Sequence, residues 1–133
     1  ENISGYKGLR TDWDATPPAL VAQIKGMGNG YASVSVVGDR AYTTGNRDGA
    51  QCVIAVDLSK NDVAWVTPIT EGVPKHGYDG SRTTPTVDGD FLYVVSSDGV
   101  LSCLKRDNGS VVWSKNFKPE WGGKMHSGWG FSE

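Results

Sequence analysis

The chain has 133 residues, a formal net charge of -2 at pH 7 and a pI of about 5.6. This length fits one domain or part of a larger one, and the lack of a basic face or basic run argues against nucleic acid and membrane surfaces as partners. No apolar run approaches the roughly 20 residues of a membrane-spanning helix, and 18 glycines with only two methionines favour a turn-rich β protein.

The first 30 residues are interpreted as a lead-in. Residues 1–16 are polar and irregular, whereas residues 19–25 alternate in polarity, which predicts a short strand and leaves a short helix open. Glycines at 26, 28 and 30 resemble a dinucleotide loop, but such a loop needs a following helix, and residues 31–37 have no helical period. A sharply turning connector is therefore favoured.

The sequence starts with Glu1 instead of an initiator Met, and no export signal is visible in it. We therefore expect a processed product, and the loss of an export signal stays open.

Two sets of four short apolar runs follow, each separated by turn residues such as Asp-Gly and Asn-Gly. The first set predicts strands at 32–37, 40–45, 51–57 and 63–66. The second predicts strands at 84–87, 91–96, 100–105 and 110–115. Tyr42 recurs 51 residues later as Tyr93, and Trp65 recurs 48 residues later as Trp113. A period near 50 with four strands per unit indicates β-propeller blades.

The predicted fold is therefore all-β, with about two propeller blades and flanking strands of an incomplete ring. The expected organisation is a lead-in with the outer strand of a preceding blade at 1–30, a first blade at 31–66, a connector at 67–81, a second blade at 82–115, and a connector with the start of a third blade at 116–133. Complete propellers have about 4–8 blades, so the expected partners are other blades of the same propeller or other protein chains.

Two segments resemble the PQQ-like β-propeller repeat of quinoprotein alcohol dehydrogenases and of bacterial outer-membrane assembly lipoproteins. They are Val53-Ile54-Ala55-Val56-Asp57 with Ala64-Trp65, and Leu101-Ser102-Cys103-Leu104 with Gly109-Ser110-Val111-Val112-Trp113. The resemblance covers about residues 17–133 and implies that Trp65 and Trp113 dock between adjacent blades. Lys60-Asn61 and Lys105 depart from the usual pattern, and the adjacent cysteine pair of the dehydrogenases is absent from the sequence. The resemblance thus implies the fold without implying the quinone.

Both cysteines, Cys52 and Cys103, fall in predicted strands and do not form a disulfide framework. Buried free thiols are favoured, because free cysteine packs as a small hydrophobic residue. A bridge between them stays open, since it depends on a distance that the sequence does not contain.

Loops that join repeats are the expected location of function. The candidate surface for a ligand or a partner consists of Tyr31, His76, Tyr78, Arg82, Trp121, His126 and Trp129. A metal site with His76 and His126 is an alternative, although two ordinary loop histidines are the simpler interpretation. No nucleophile-elbow motif is present, so no catalytic, cofactor-binding or metal-binding residue is assigned.

The favoured function is a non-catalytic propeller that serves as a scaffold or protein-interaction module in the periplasm, outside the cell or elsewhere in the bacterial cell envelope. The resemblance implies an alternative, in which the chain is a fragment of a PQQ-dependent dehydrogenase and a calcium ion accompanies the quinone. A carbohydrate-binding module that uses Trp121 and Trp129 is a weaker alternative.

Overall fold

The structure is a computed structural model that describes residues 5–126 and 128–132. The first four residues of the predicted lead-in, residue 127 of the second connector and the last residue of the predicted third-blade start lie outside the described residues.

Eight strands form two four-stranded antiparallel sheets, and in each sheet the strands pair in chain order. The first sheet contains β1 (Ser35–Val37), β2 (Arg40–Arg47), β3 (Ala50–Asp57) and β4 (Asp62–Pro68). The second contains β5 (Thr86–Asp88), β6 (Phe91–Val95), β7 (Val100–Lys105) and β8 (Val111–Asn116), and the helix α1 (Phe117–Trp121) follows it. The predicted all-β fold with two four-stranded blades is confirmed.

The two blades share a β-bulge one residue before the repeated tryptophan. Ala55 pairs with Trp65 and Val56 pairs with Val63, so that Ala64 is the extra residue of β4. The same register shift occurs in the second blade between Cys103 and Leu104, opposite β8. A bulge bends its strand and redirects the side chains beside it. Since it occurs at the same position in both blades, the bulge is part of the repeat, as the tryptophan is.

The last turn of each blade holds a residue in the left-handed conformation. Gly109 has a φ of 73° in the second blade, and Asn61 has a φ of 53° at the corresponding position of the first blade. Asparagine adopts this conformation more readily than most residues with a side chain. The Lys60-Asn61 departure from the repeat pattern therefore preserves the turn.

The main hydrophobic core lies between the two blades. Its buried members are Tyr42, Val53, Ala55, Ile69, Leu92, Val94 and Leu104. Trp65 and Val87 are partly buried and pack against this cluster. A second cluster, on the opposite face of the first blade, joins Ala50, Cys52 and Ile54 with the lead-in residue Met27. Strand β3 is consequently buried along its whole length.

Hydrogen bonds between the two blades occur both near the inner strands and near the outer strands. They are Tyr31 N to Ser81 O (2.7 Å), Ser33 N to Thr84 Oγ1 (3.1 Å), Thr44 Oγ1 to Thr83 O (2.6 Å), Ser97 N to Gln51 Oε1 (2.9 Å) and Thr67 Oγ1 to Gly109 O (2.8 Å). Each of these bonds has a backbone atom on at least one side. They fix how far one blade can slide along the other, which hydrophobic packing alone does not do.

Glycines allow the lead-in to cross the first blade at close range. A Cβ atom on Gly45 would lie 1.7 Å from Met27 O, and one on Gly28 would lie 2.5 Å from Asn46 O. The amide of Asn29 donates to Asn46 O at 3.0 Å. The amides of Asn29 and Tyr31 are used inside the protein, and Gly26 and Gly28 have positive φ angles, which agrees with the predicted sharply turning connector.

Asp57 ends β3 and is almost fully buried. Its Oδ1 accepts a hydrogen bond from the Ser59 hydroxyl at 2.6 Å, and its Oδ2 lies 2.6 Å from Arg40 Nη1. The Ser59 hydroxyl and the Arg40 guanidinium lower the pKa of Asp57 to about 2. The carboxylate therefore ties the third strand to the turn that follows it.

Two segments differ from the predicted elements in kind and not only in their bounds. Residues 19–25 form no strand, and Leu20 and Val21 are exposed. A strand needs a hydrogen-bonded neighbour, and the described residues supply none there; the assignment of this segment to a preceding blade stays a prediction. The second difference is α1, which the sequence did not predict. Asn116 Oδ1 accepts from Lys118 N at its start, and Gly122 ends it with a φ of 65°.

Candidate functional site

The lead-in and the first connector meet at one end of the sheets, where Gly30 and Ser81 form a parallel bridge. Tyr31 and Arg82 directly follow these two residues. The Arg82 guanidinium carbon lies 5.6 Å from the centroid of the Tyr31 ring, which is within the range of a cation–π interaction. The bridge thus brings together two candidate residues that are 51 positions apart.

The second connector adds Trp129 to the same place. Gly77 N donates to Gly128 O at 2.6 Å, and the Tyr78 and Trp129 rings stack with centroids 4.5 Å apart and an interplanar angle of 10°. The Arg82 guanidinium carbon also lies 5.4 Å from the Trp129 ring centroid. Three segments of the chain therefore converge on one guanidinium group.

His76 completes the group, which we call the Arg82 cluster: Tyr31, His76, Tyr78, Arg82 and Trp129. Arg82 Nη2 donates to Tyr78 O at 2.9 Å and lies 3.4 Å from His76 Nδ1. Since an arginine side chain only donates hydrogen bonds, His76 Nδ1 is the acceptor. The neutral imidazole therefore carries its proton on Nε2.

The Arg82 cluster contains donors that lack acceptors. Arg82 Nε and His76 Nε2 are both buried and have no hydrogen-bond partner among the described residues. A buried donor without a partner is destabilising. Three ring systems of the cluster face solvent to a large extent, since Tyr31, Tyr78 and Trp129 are 68%, 54% and 53% exposed.

Two of the seven predicted surface residues lie apart from the Arg82 cluster. Trp121 belongs to α1 and packs against Phe117, with ring centroids 5.3 Å apart. His126 is exposed, and within the described part of the chain it makes no hydrogen bond or ion pair with the cluster. The connector folds locally around Phe117, whose ring packs against both Trp121 and Phe131.

The sequence did not point to the glycines that assemble the site. A Cβ atom on Gly130 would lie 2.9 Å from Ser97 O and 3.4 Å from His76 Cδ2. Gly130 thus lets the second connector approach both the turn between β6 and β7 and the first connector. The only signal was the pair of glycines that flank Trp129, and nothing in the sequence identified their contacts.

The described residues contain no cluster of ligands for the metal site that was predicted as an alternative. Among residues 5–126 and 128–132, no three His, Cys, Asp or Glu side chains lie close enough to hold one metal ion. The described residues therefore do not fit a carboxylate site for the calcium ion that the dehydrogenase alternative requires.

The two repeated tryptophans differ in their surroundings. Trp65 packs against the core between the blades and lies beside Gly109, whereas Trp113 is 39% exposed. Each tryptophan lies near the repeated tyrosine of its own blade, with ring centroids 6.1 Å apart for Tyr42 and Trp65 and 6.3 Å for Tyr93 and Trp113. The second blade presents to solvent the face that the first blade buries.

Cys52 and Cys103 are buried and free, as the sequence favoured. Burial raises the pKa of the Cys52 thiol. A buried thiol with a raised pKa is a poor nucleophile, so Cys52 is not a candidate nucleophile.

Two adjacent antiparallel sheets, each joined to the next segment by a connector from its outer strand, define this molecule as part of a β-propeller. The family model described as outer membrane protein assembly factor BamB matches residues 11–115. The chain belongs to this family of PQQ-like propeller repeats.

The structure is similar to a quinohemoprotein alcohol dehydrogenase from Comamonas testosteroni, with a TM-score of 0.59 and 19% sequence identity. The match covers 71% of this chain and 14% of the dehydrogenase chain. At this identity the similarity shows the fold alone. No curated protein matches the sequence, and no helix in the described part of the chain is long and apolar enough to span a bilayer.

Proposed function

We propose that the chain is a non-catalytic propeller segment that acts as a scaffold or protein-interaction module in the bacterial cell envelope. The observation that carries this proposal is the difference between the two equivalent tryptophans. Trp65 is packed against a neighbouring blade, and Trp113 presents the same kind of surface to solvent. The name of the matching family, an assembly factor for outer membrane proteins, supports the envelope location.

The exposed face of the second blade supports the need for a protein partner. Phe91 is exposed on the face of the second blade that carries Trp113. An exposed apolar surface of this kind is typical of an interaction site. Another blade or another protein chain would bury it in the way that the second blade buries Trp65.

Sedimentation velocity with an apolar fluorescent dye tests the exposed face. We expect the purified chain to associate or to bind the dye, and we expect Trp113→Ser to reduce both effects. Trp121→Ser is the matched control, because Trp121 is 59% exposed but lies on α1. A compact 14.2 kDa monomer that binds no dye would contradict the proposal.

A dye-reduction assay tests the absence of catalysis. The chain is incubated with PQQ, calcium and a panel of alcohols and sugars, and the reduction of an artificial electron acceptor is followed. We expect no calcium-dependent turnover above that of free PQQ. Calcium-dependent turnover would replace the scaffold proposal with the dehydrogenase alternative.

A further inference from the structure

We propose that the Arg82 cluster binds a carboxylate group. This inference rests on the proposed function, because it names the chemistry that the interaction module would recognise. The ligand is either a small organic acid or an acidic side chain of a protein partner, and both present the same planar anion to Arg82.

Arg82 differs from the other arginines in its charge balance. The four others, Arg10, Arg40, Arg47 and Arg106, each form an ion pair with an aspartate. Arg82 has no acidic partner within the described residues, and it is partly buried. A partly buried cation without a counterion is unfavourable, so this position favours an anion from outside the described chain.

The hydrogen-bonding groups of the cluster indicate an acceptor as the ligand. Arg82 Nη2 is occupied by Tyr78 O and His76 Nδ1. Arg82 Nη1 has no partner among the described residues and does not belong to the buried atoms that lack one, so solvent can reach it. The groups that remain are all donors: Arg82 Nη1, which solvent can reach, and Arg82 Nε and His76 Nε2, which are buried behind it without a partner among the described residues.

The aromatic rings favour a flat anion that approaches the edge of the guanidinium group. Tyr31 and Trp129 both lie within cation–π range of the guanidinium carbon, so they occupy part of the space around the group. A carboxylate is planar and pairs with guanidinium donors in their own plane. The exposed rings also provide apolar walls for the carbon atoms that carry the carboxylate.

Titrations followed by NMR test this site in the ¹⁵N-labelled chain. The two probes are succinate and the capped peptide Gly-Glu-Gly-Glu-Gly, and the matching peptide with Gln in place of Glu is the uncharged control. We expect the Trp129 indole N–H signal, assigned with Trp129→Phe, and the Arg82 Nε–H signal to shift saturably with at least one carboxylate probe. Binding of succinate alone assigns the carboxylate to a small acid, and binding of the peptide alone assigns it to a protein partner.

Variants distinguish the Arg82 cluster from general charge attraction. Arg82→Gln should raise the dissociation constant at least tenfold, and Arg82→Lys should raise it by a smaller factor, because lysine keeps the charge without the planar donor set. Arg106→Gln is the matched control, since Arg106 pairs with Asp90 beside the turn at the opposite end of the second blade. This control should change the dissociation constant less than twofold.

Three results would overturn the carboxylate site: no shift of the Trp129 signal with either probe, equal shifts with the Gln peptide, or equal weakening by Arg106→Gln. The amide spectrum shows whether each variant is folded. If an Arg82 variant does not fold, the wild-type titration still shows whether the chain binds a carboxylate. Failure here leaves the Trp113 experiment untouched, so it is distinguishable from failure of the proposed function.

Discussion

Replacing Gly109 by alanine should separate the blades at their outer edge. A Cβ atom at this position would lie 2.5 Å from Trp65 Cε3 and 2.5 Å from Thr67 Oγ1. The Thr67 hydroxyl also donates to Gly109 O at 2.8 Å. The new methyl group would therefore push against both side chains by which the first blade contacts this turn.

Two costs add up in this variant. Gly109 has a φ of 73°, and an alanine in the left-handed region costs about 1–2 kcal/mol. Overfilling a packed site costs about 1–3 kcal/mol more. We therefore expect Gly109→Ala to lower the free energy of unfolding by roughly 2–5 kcal/mol.

Urea denaturation followed by far-ultraviolet circular dichroism measures this loss. Gly89→Ala is the matched control, because Gly89 has a φ of 54° and nothing within 4 Å of an added Cβ; it should lose only the backbone part, about 1–2 kcal/mol. In a Trp65→Leu background the excess loss of Gly109→Ala over Gly89→Ala should shrink. Equal losses for the two alanine variants in the wild-type background would refute the packing argument.

Three further outcomes are expected. Gln51→Leu should destabilise the chain by about 1–3 kcal/mol in urea, because it leaves the buried Ser97 amide without its acceptor; no loss would contradict that role. The pKa of Asp57 is lowered to about 2, so its stabilisation is present above pH 4 and is lost as the pH falls toward 2; Asp57→Asn should flatten acid unfolding in this range, and an unchanged profile would contradict it. Cys52 and Cys103 are buried free thiols, and a thiol reagent should modify both in urea but neither in the native chain.

The blades could be predicted because their turns are encoded locally. Asp-Gly and Asn-Gly pairs define where each strand ends, and the bounds of β7 match the predicted 100–105. Strand β1 is shorter than predicted because residues 31–34 bond to the second blade instead: Tyr31 N to Ser81 O and Ser33 N to Thr84 Oγ1. A neighbour that is distant in sequence decided this boundary.

The sequence of α1 does not indicate a helix. Pro119 reads as a helix breaker, yet it lies within the first turn, where no intrahelical hydrogen bond is required of its nitrogen. Asn116 caps the start of the helix and Gly122 ends it. This five-residue helix places Trp121 beside Phe117. For this reason the seven-residue candidate surface is divided in the structure.

The Arg82 cluster could be predicted in outline but not in detail. The repeat aligned Tyr31 with Arg82, and the bridge between Gly30 and Ser81 makes that alignment a contact. The position of Trp129 depends on the hydrogen bond between Gly77 and Gly128. No local sequence pattern encodes such a contact between two connectors.

The glycine crossing at Gly28 and Gly45 has a mechanical consequence. The lead-in is bonded to the first blade through Asn29 and Asn46 and to the second through Tyr31 and Ser81, only two residues apart along the chain. A pulling force on the residues before Gly28 would be shared between both sheets at once. Tension on this segment would therefore load the hydrogen bonds to both blades together.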